Sequence, residues 1–372
     1  MQGTHGRLAA AFLVVLATVI AVCPAGASAA EVVVEAPSGV SVRQGEVVRF
    51  AVGVRATGQI DCLVGRGNPA IAAIDTSHTL VGGAPASSGE SGRLAFYSDN
   101  QGQLLPPAQC GVTWDGAPSS YTVPVTLAVA PNTPPGSYRL PVRARTANPS
   151  SAIFAPLTEN NVDEVTVAVA PPPSSAAELA GPRENVSVNL IPVRGRVTIR
   201  YPGGGSFLGL PGPAQVPPGT RVDTTAGVVQ IVSDRTGTGE AQSAEFWDGV
   251  FDVGYTRQLR PERGAAGGQA PQPYTELQLA RRTGASLAVA AKGRKGVWGN
   301  GRGRFRTKGA YGAGTVRGTH WFTGETAAGT YVKVRRGRVE VSDFTVRRRV
   351  TLRAKQSYLA RRPHRRRGRT RG

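Results

Sequence analysis

The stretch GTYVKVRRGRVEVSD, Gly329 to Asp343, decides how this chain folds. Val332 and Val334 alternate with Lys333 and Arg335, and past Gly337 the residues Val339 and Val341 alternate with Glu340. A period of two buries one face of a β-strand and wets the other, so the valines belong to a core and the charges to a surface. The glycine between the two runs reads as a hairpin turn, with Lys333 and Glu340 able to pair across the strands.

The same alternation recurs along the chain. VTLRAKQSYLA (Val350–Ala360) reads as one further strand and GTRVDTTAGVVQIVSD (Gly219–Asp234) as another pair. Nearer the N-terminus, VRFAVGV (Val48–Val54), YTVPVTLAV (Tyr121–Val129), SYRLPVRAR (Ser137–Arg145) and VDEVTVAV (Val162–Val169) repeat it. Turn chemistry such as PNTPPGS (Pro131–Ser137) separates them, which predicts an all-β chain with an antiparallel sandwich at its N-terminal end. Glycine and proline together supply 76 of the 372 residues, too many helix breakers for an all-α protein.

The first residues predict export. Arg7 precedes the apolar run LAAAFLVVLATVIAVC (Leu8–Cys23), and AGASAA supplies the small residues of a cleavage site, so residues 1–29 read as a signal peptide. The run holds 16 residues, short of the roughly 20 that a transmembrane helix needs. No other membrane span is expected, and the protein should be secreted or held at the cell surface. Export also sets the fate of the cysteines. Cys62 and Cys110 remain after cleavage, an even pair in an oxidising compartment, and should form a disulfide contributing about 4 kcal/mol in the chain-entropy model.

Charge divides the chain. Residues 31–180 carry 8 Arg and Lys against 12 Asp and Glu, net −4, whereas residues 181–372 carry 35 against 12, net +23. The boundary, APPPSSAAELAGP (Ala170–Pro182), has the composition of a semi-rigid linker. The expected organisation is a β-sandwich over residues 30–169, the linker over 170–182, a second β domain over 183–360 and a disordered basic tail over 361–372.

Motifs for chemistry are missing. The sequence has no H-E-x-x-H, no paired Cys/His spacing and no G-x-S-x-G, which removes the usual signatures of metalloproteases, zinc ribbons and serine hydrolases. Asp248 could serve a glycosidase only with a partner carboxylate about 5 to 9 Å away, for which Glu245 and Asp252 are the neighbours in sequence. His320 beside Trp321 reads as a strand residue next to a core aromatic. The chain is therefore expected to be non-enzymatic and to carry no cofactor or metal.

Basic segments are the remaining signal. GRKGVWGNGRGRFRTKGAYG (Gly293–Gly312) interleaves Arg302, Arg304, Arg306 and Lys308 with Trp298, Phe305 and Tyr311. The C-terminus, RRPHRRRGRTRG, adds Arg361, Arg362, Arg365, Arg366, Arg367, Arg369 and Arg371. Inside a cell this pattern would suggest nucleic acid; outside, the available polyanions are envelope polymers, lipid headgroups and extracellular DNA. The alternative for the tail is a solvated segment that serves solubility.

Two resemblances rest on these pieces. VTLAVAPNTPPGSYRLPVRA (Val125–Ala144) resembles the closing hairpin of immunoglobulin-like modules in bacterial surface proteins, although Trp114 lies after Cys110 and not between the cysteines. In the second half, PPGTRVDTTAGVVQIVSD, FWDGVFDV, the segment from Gly303 to Asp343 and VTLRAKQSYLA follow the order of the FecR-type extracytoplasmic domain. Gly318, Thr319 and Trp321 match its glycine-threonine pair before an aromatic, and Thr330, Val332, Val334, Gly337, Val339 and Val341 match its final hairpin. The resemblance implies a roll-like or solenoid-like β domain without catalytic residues. The cytoplasmic segment through which FecR regulators control a sigma factor has no counterpart, and Arg257 to Gly296 reads as an insertion carrying a basic loop and one apolar strand, LAVAA. The expected function is binding of anionic envelope polymers, with a signalling role through a protein partner as the alternative.

Overall fold

A computed structural model describes residues 31–57, 71–74, 79–80, 96–98, 101–104, 119–145, 162–202, 205–235, 240–257, 273–280, 295–316 and 318–363. The expected signal peptide, Cys62 and Cys110, His78, Trp114, the LAVAA run and Arg365 to Arg371 lie outside them. The protein is all-β: among the described residues the regular elements are strands apart from one 3-10 turn at Ala176–Glu178. No helix among the described residues is long and apolar enough to cross a membrane.

Among the described residues ten strands precede the linker. They are β1 (Glu31–Glu35), β2 (Gly39–Arg43), β3 (Val47–Thr57), β4 (Ile71–Ile74), β5 (Thr79–Leu80), β6 (Phe96–Ser98), β7 (Gln101–Leu104), β8 (Ser119–Val129), β9 (Gly136–Arg145) and β10 (Val162–Ala170). One sheet has the order β1-β3-β8-β6 and the other β2-β10-β9-β4-β7, with β5 also on β9. Val52, Val125 and Leu127 of the first share one core with Leu140, Val142, Val165 and Val167 of the second, all 0% or 1% exposed. Each side chain so buried contributes about 1.5 to 3 kcal/mol over leaving it in water.

The PNTPPGS turn does not close a hairpin. β8 pairs with β3 and β6, whereas β9 pairs with β10, β4 and β5, so the turn carries the chain from one sheet to the facing one. Nor is the arrangement purely antiparallel, because β10 runs parallel to β2.

Among the described residues fifteen strands follow in a single sheet. They are β11 (Val188–Arg200), β12 (Leu208–Gly209), β13 (Ala214–Val216), β14 (Thr220–Asp234), β15 (Ala241–Trp247), β16 (Val250–Arg257), β17 (Pro273–Leu279), β18 (Lys295–Arg302), β19 (Phe305–Lys308), β20 (Gly312–Val316), β21 (Thr319–Thr326), β22 (Gly329–Arg336), β23 (Arg338–Asp343), β24 (Arg348–Arg353) and β25 (Ser357–Arg361). The long strand β14 is the corner of this sheet. Its first residues pair with β16, its last with β15, and β11 follows it along the other edge. One wall continues as β15-β18-β21-β22-β25 and the other as β16-β17-β19-β20-β23-β24. At the bend only glycines fit: a Cβ on Gly195 would lie 2.3 Å from the Ala226 oxygen, and one on Gly227 would lie 2.7 Å from the Arg196 oxygen.

The two walls close on one core. Phe246, Trp321, Val332 and Val334 from the first meet Phe251, Leu277, Phe305, Val339 and Val341 from the second. The valines of the opening stretch are therefore buried as expected, but β22 and β23 are not a hairpin. β22 pairs with β21 and β25, β23 pairs with β20 and β24, and Gly337 at φ +87° turns the chain across the core between the two walls. Lys333 consequently lies beside Phe322 and Ser357, and Glu340 takes Arg349 as its ion partner at 3.5 Å.

Three more expectations change with this topology. Gly219–Asp234 holds one strand, not a pair, while Val350–Ala360 is split between β24 and β25 on opposite walls. The region read as an insertion contains β17, which stands mid-sheet between β16 and β19. β25 runs to Arg361, and the Arg362 N–H donates to the Ala328 oxygen at 2.8 Å, so the first two arginines of the expected tail belong to the fold.

Both halves touch beside the linker. The Gln215 N–H donates to the Gly45 oxygen at 2.7 Å, the Val47 N–H donates to Gln215 Oε1 at 3.3 Å, and Arg43 bonds Glu178 at 2.8 Å. Ala128 and Ala130 of β8 and its turn pack into the C-terminal core.

Candidate functional site

The outer face of the first wall places unlike residues in rows. Antiparallel register aligns Trp247 of β15, Trp298 of β18, Phe322 of β21 and Lys333 of β22; the adjoining row is Glu245, Asn300, His320 and Arg336. Register shifts between His320 and Trp321, so β22 carries one extra residue there. Such a bulge re-aims side chains, and Arg335 and Arg336 are both exposed in succession where strict alternation would bury one.

Aromatic rings pack on this face. The indoles of Trp247 and Trp298 are within 11° of parallel at 6.4 Å, and the His320 ring stands 5.6 Å from the first and 5.2 Å from the second. The Arg335 guanidinium lies over Trp298 at 5.3 Å, a cation–π contact of about 0.5 to 1 kcal/mol at an exposed site. Phe322 continues the cluster 5.2 Å from Trp298.

Beside these rings an open cleft of about 610 Å³ is lined by Asn300, His320, Lys333, Arg335, Arg336 and Lys355. Lys355 comes from the turn between β24 and β25, held against β22 by its N–H on the Val334 oxygen at 2.9 Å. Among the described residues none of these four cations has a carboxylate partner. Burial, and then the positive field of Arg335 and Arg336, hold the His320 imidazole below its ordinary pKa, and its Nε2 is buried without a hydrogen-bond partner. The cleft is thus a set of positive donors around a neutral imidazole.

The residues singled out as anion-binding divide between surfaces. Arg302 ends β18 and is exposed on the same outer face as Trp298 and Asn300. Arg361 pairs with Gly329 and lies on the outer side of β25, since its neighbour Ala360 is buried in the core. Arg306 and Lys308 instead project from β19 on the opposite wall, where both neutralise Glu276 of β17 at 3.7 and 3.2 Å. Arg304 leans on Tyr274, its guanidinium 4.7 Å from the ring and bonded to the hydroxyl at 3.1 Å. Phe305 between them is a fully buried core residue. The interleaved basic-aromatic segment is therefore two strands, β18 and β19, of two different walls, turned at Gly303.

Of the acidic residues, Asp252 is bound through both oxygens by Arg221, at 2.7 and 2.8 Å, and Asp248 occupies an exposed turn at φ +65°. Among the described residues no group of three or more His, Cys, Asp or Glu side chains could hold a metal ion. Lys333, Arg335, Arg336, Lys355 and Trp247 were not marked by sequence as a site. The exposed alternation of Lys333 and Arg335 was visible, but not the register and the bulge that set them beside His320. A comparison with protein-family models and with curated proteins found no match for the chain.

Proposed function

We propose that this is an exported, non-enzymatic envelope protein that binds anionic envelope polymers through the cationic face of its C-terminal sheet. The observation that carries this reading is the set of four cations without carboxylate partners, Lys333, Arg335, Arg336 and Lys355, on the face from which Arg361 leads into the basic tail. Arg361 of β25 lies opposite Gly329, four strand residues or roughly 13 Å along β22 from Lys333, so it extends the positive strip. The signal-like N-terminus and the resemblance to FecR-type extracytoplasmic domains agree with a place outside the cytoplasmic membrane.

Co-sedimentation of the protein with purified cell wall, across about 50 to 200 mM salt, tests this. Polyanion binding falls steeply over that range. Binding that ignores salt would replace this reading with a packed interface to another protein, as in the signalling alternative. The tail is best removed after Pro363, because a cut after Ala360 would also delete the Arg361 pairing of β25.

A further inference from the structure

We infer that the His320 cleft recognises phosphodiesters of a linear polymer lying along β22, an assignment that rests on the polyanion reading above and narrows it. Three observations lead there. First, the lining is rich in donors: Lys333, Arg335, Arg336 and Lys355 offer only N–H groups, and the side-chain acceptors are confined to Asn300 and one ring nitrogen of His320, whose Nε2 is buried. A hydroxyl-rich sugar read unit by unit would need acceptors for its O–H groups, whereas phosphodiester oxygens only accept. Second, the aromatic faces are occupied. Trp298 packs against Trp247, His320 and Arg335, and no indole is among the residues that line the cleft, so a sugar ring or a base has no tryptophan face there on which to stack. Third, Lys333 and Arg335 are two residues apart on β22, roughly 7 Å at the rise of an extended strand, and the bulge at Arg335 sets Arg336 on the exposed surface beside it. That spacing suits successive charges of an extended chain with a short polyol between phosphates. The guanidinium fork of Arg335 or Arg336 matches two phosphate oxygens at once.

The neutral His320 fits the same ligand. Its ring fills the floor between the indoles without adding a fifth charge, and the surrounding cations supply the attraction.

The test measures binding of three probes at equal charge concentration and 50 mM salt: poly(glycerol phosphate), polygalacturonate and oligothymidylate. The wild-type protein should bind poly(glycerol phosphate) at least tenfold more tightly than polygalacturonate, with oligothymidylate equal to or weaker than poly(glycerol phosphate). The double variant Lys333→Gln/Arg335→Gln should lose that preference. Both side chains are exposed, and an unchanged unfolding midpoint verifies the fold. The version ending at Pro363 should keep the preference, since the cleft is intact. Equal binding of the two polymers, or a preference that survives the double variant or vanishes with the tail, overturns the phosphodiester assignment and leaves the polyanion reading standing. Oligothymidylate bound tenfold more tightly than poly(glycerol phosphate) overturns it in favour of nucleic acid. If no probe binds, the polyanion reading fails and takes this inference with it.

Discussion

The indole N–H of Trp321 donates to Thr307 Oγ1 at 3.0 Å, and the same hydroxyl lies 2.5 Å from that of Thr323. Thr307 stands on β19 and Trp321 on β21, in opposite walls, so this network spans the interior of the rolled sheet. All three residues are 0% exposed, where a polar group left without a partner costs about 1 to 3 kcal/mol. Thr307→Val keeps the shape and leaves the Trp321 N–H and the Thr323 hydroxyl without this partner; it should lower stability by about 2 kcal/mol in urea unfolding. Thr307→Ser should lose less, and equal losses would show that the methyl group matters more than the hydroxyl.

His320 makes stability depend on pH. Its folded pKa lies below the ordinary value of about 6.5, because burial and the facing charges of Arg335 and Arg336 disfavour the imidazolium. The unfolded chain then binds more protons in that window, so stability is complete above about 6.5 and is lost as pH falls through the folded pKa. His320→Asn removes this titration. Between pH 7 and pH 5 the variant's unfolding midpoint should fall less than that of the wild type, and parallel curves would contradict the assignment.

Gly337 carries the chain between walls at φ +87°, and a Cβ there would lie 2.7 Å from the Gly318 oxygen. Gly337→Ala should therefore cost about 1 to 3 kcal/mol through strain and displacement. Gly209→Ala is the control, since nothing lies within 4 Å of its added Cβ. Thermal unfolding of the pair should separate by several degrees.

Gln215 joins the two halves. It is 2% exposed, and its amide donates to the Ala180 oxygen at 2.7 Å and to Asn189 Oδ1 at 3.0 Å while its oxygen accepts from the Val47 N–H. Gln215→Ala removes the partner of Asn189 Oδ1 and of the Val47 N–H, while the Ala180 oxygen keeps Asn189 Nδ2 at 2.9 Å, and should cost about 2 kcal/mol. Proteolysis within residues 170–182 should speed up in the variant; unchanged cleavage would mean that the contact does not hold the linker.

Arg335→Gln should reduce the slope of log affinity against log salt by roughly one unit for wall polymer, as expected when one cation no longer displaces counterions. A parallel shift with no change of slope would place Arg335 outside the contact.

Alternation along single strands identified the all-β fold and part of the core. Val125, Leu127, Leu140, Val142, Val332, Val334, Val339 and Val341 were legible as inward-facing, and all are buried. Strand β17 was hidden because one of its inward residues is polar. Thr275 is 0% exposed yet satisfied by Ser233 at 2.5 Å and Gln242 at 2.9 Å, partners that only the folded chain supplies. Partner choice was the larger gap. A period of two states which side of a strand is apolar, and it is the same whether the next strand lies beside it or across the core. Both PNTPPGS and Gly337 thus read as hairpins, and both join facing layers. The candidate site shows the same division. Lys333 and Arg335 were legible as surface cations, whereas their place beside Trp298 and His320 depends on the register of β15, β18, β21 and β22 and on one bulge, all set by long-range pairing that no local pattern encodes.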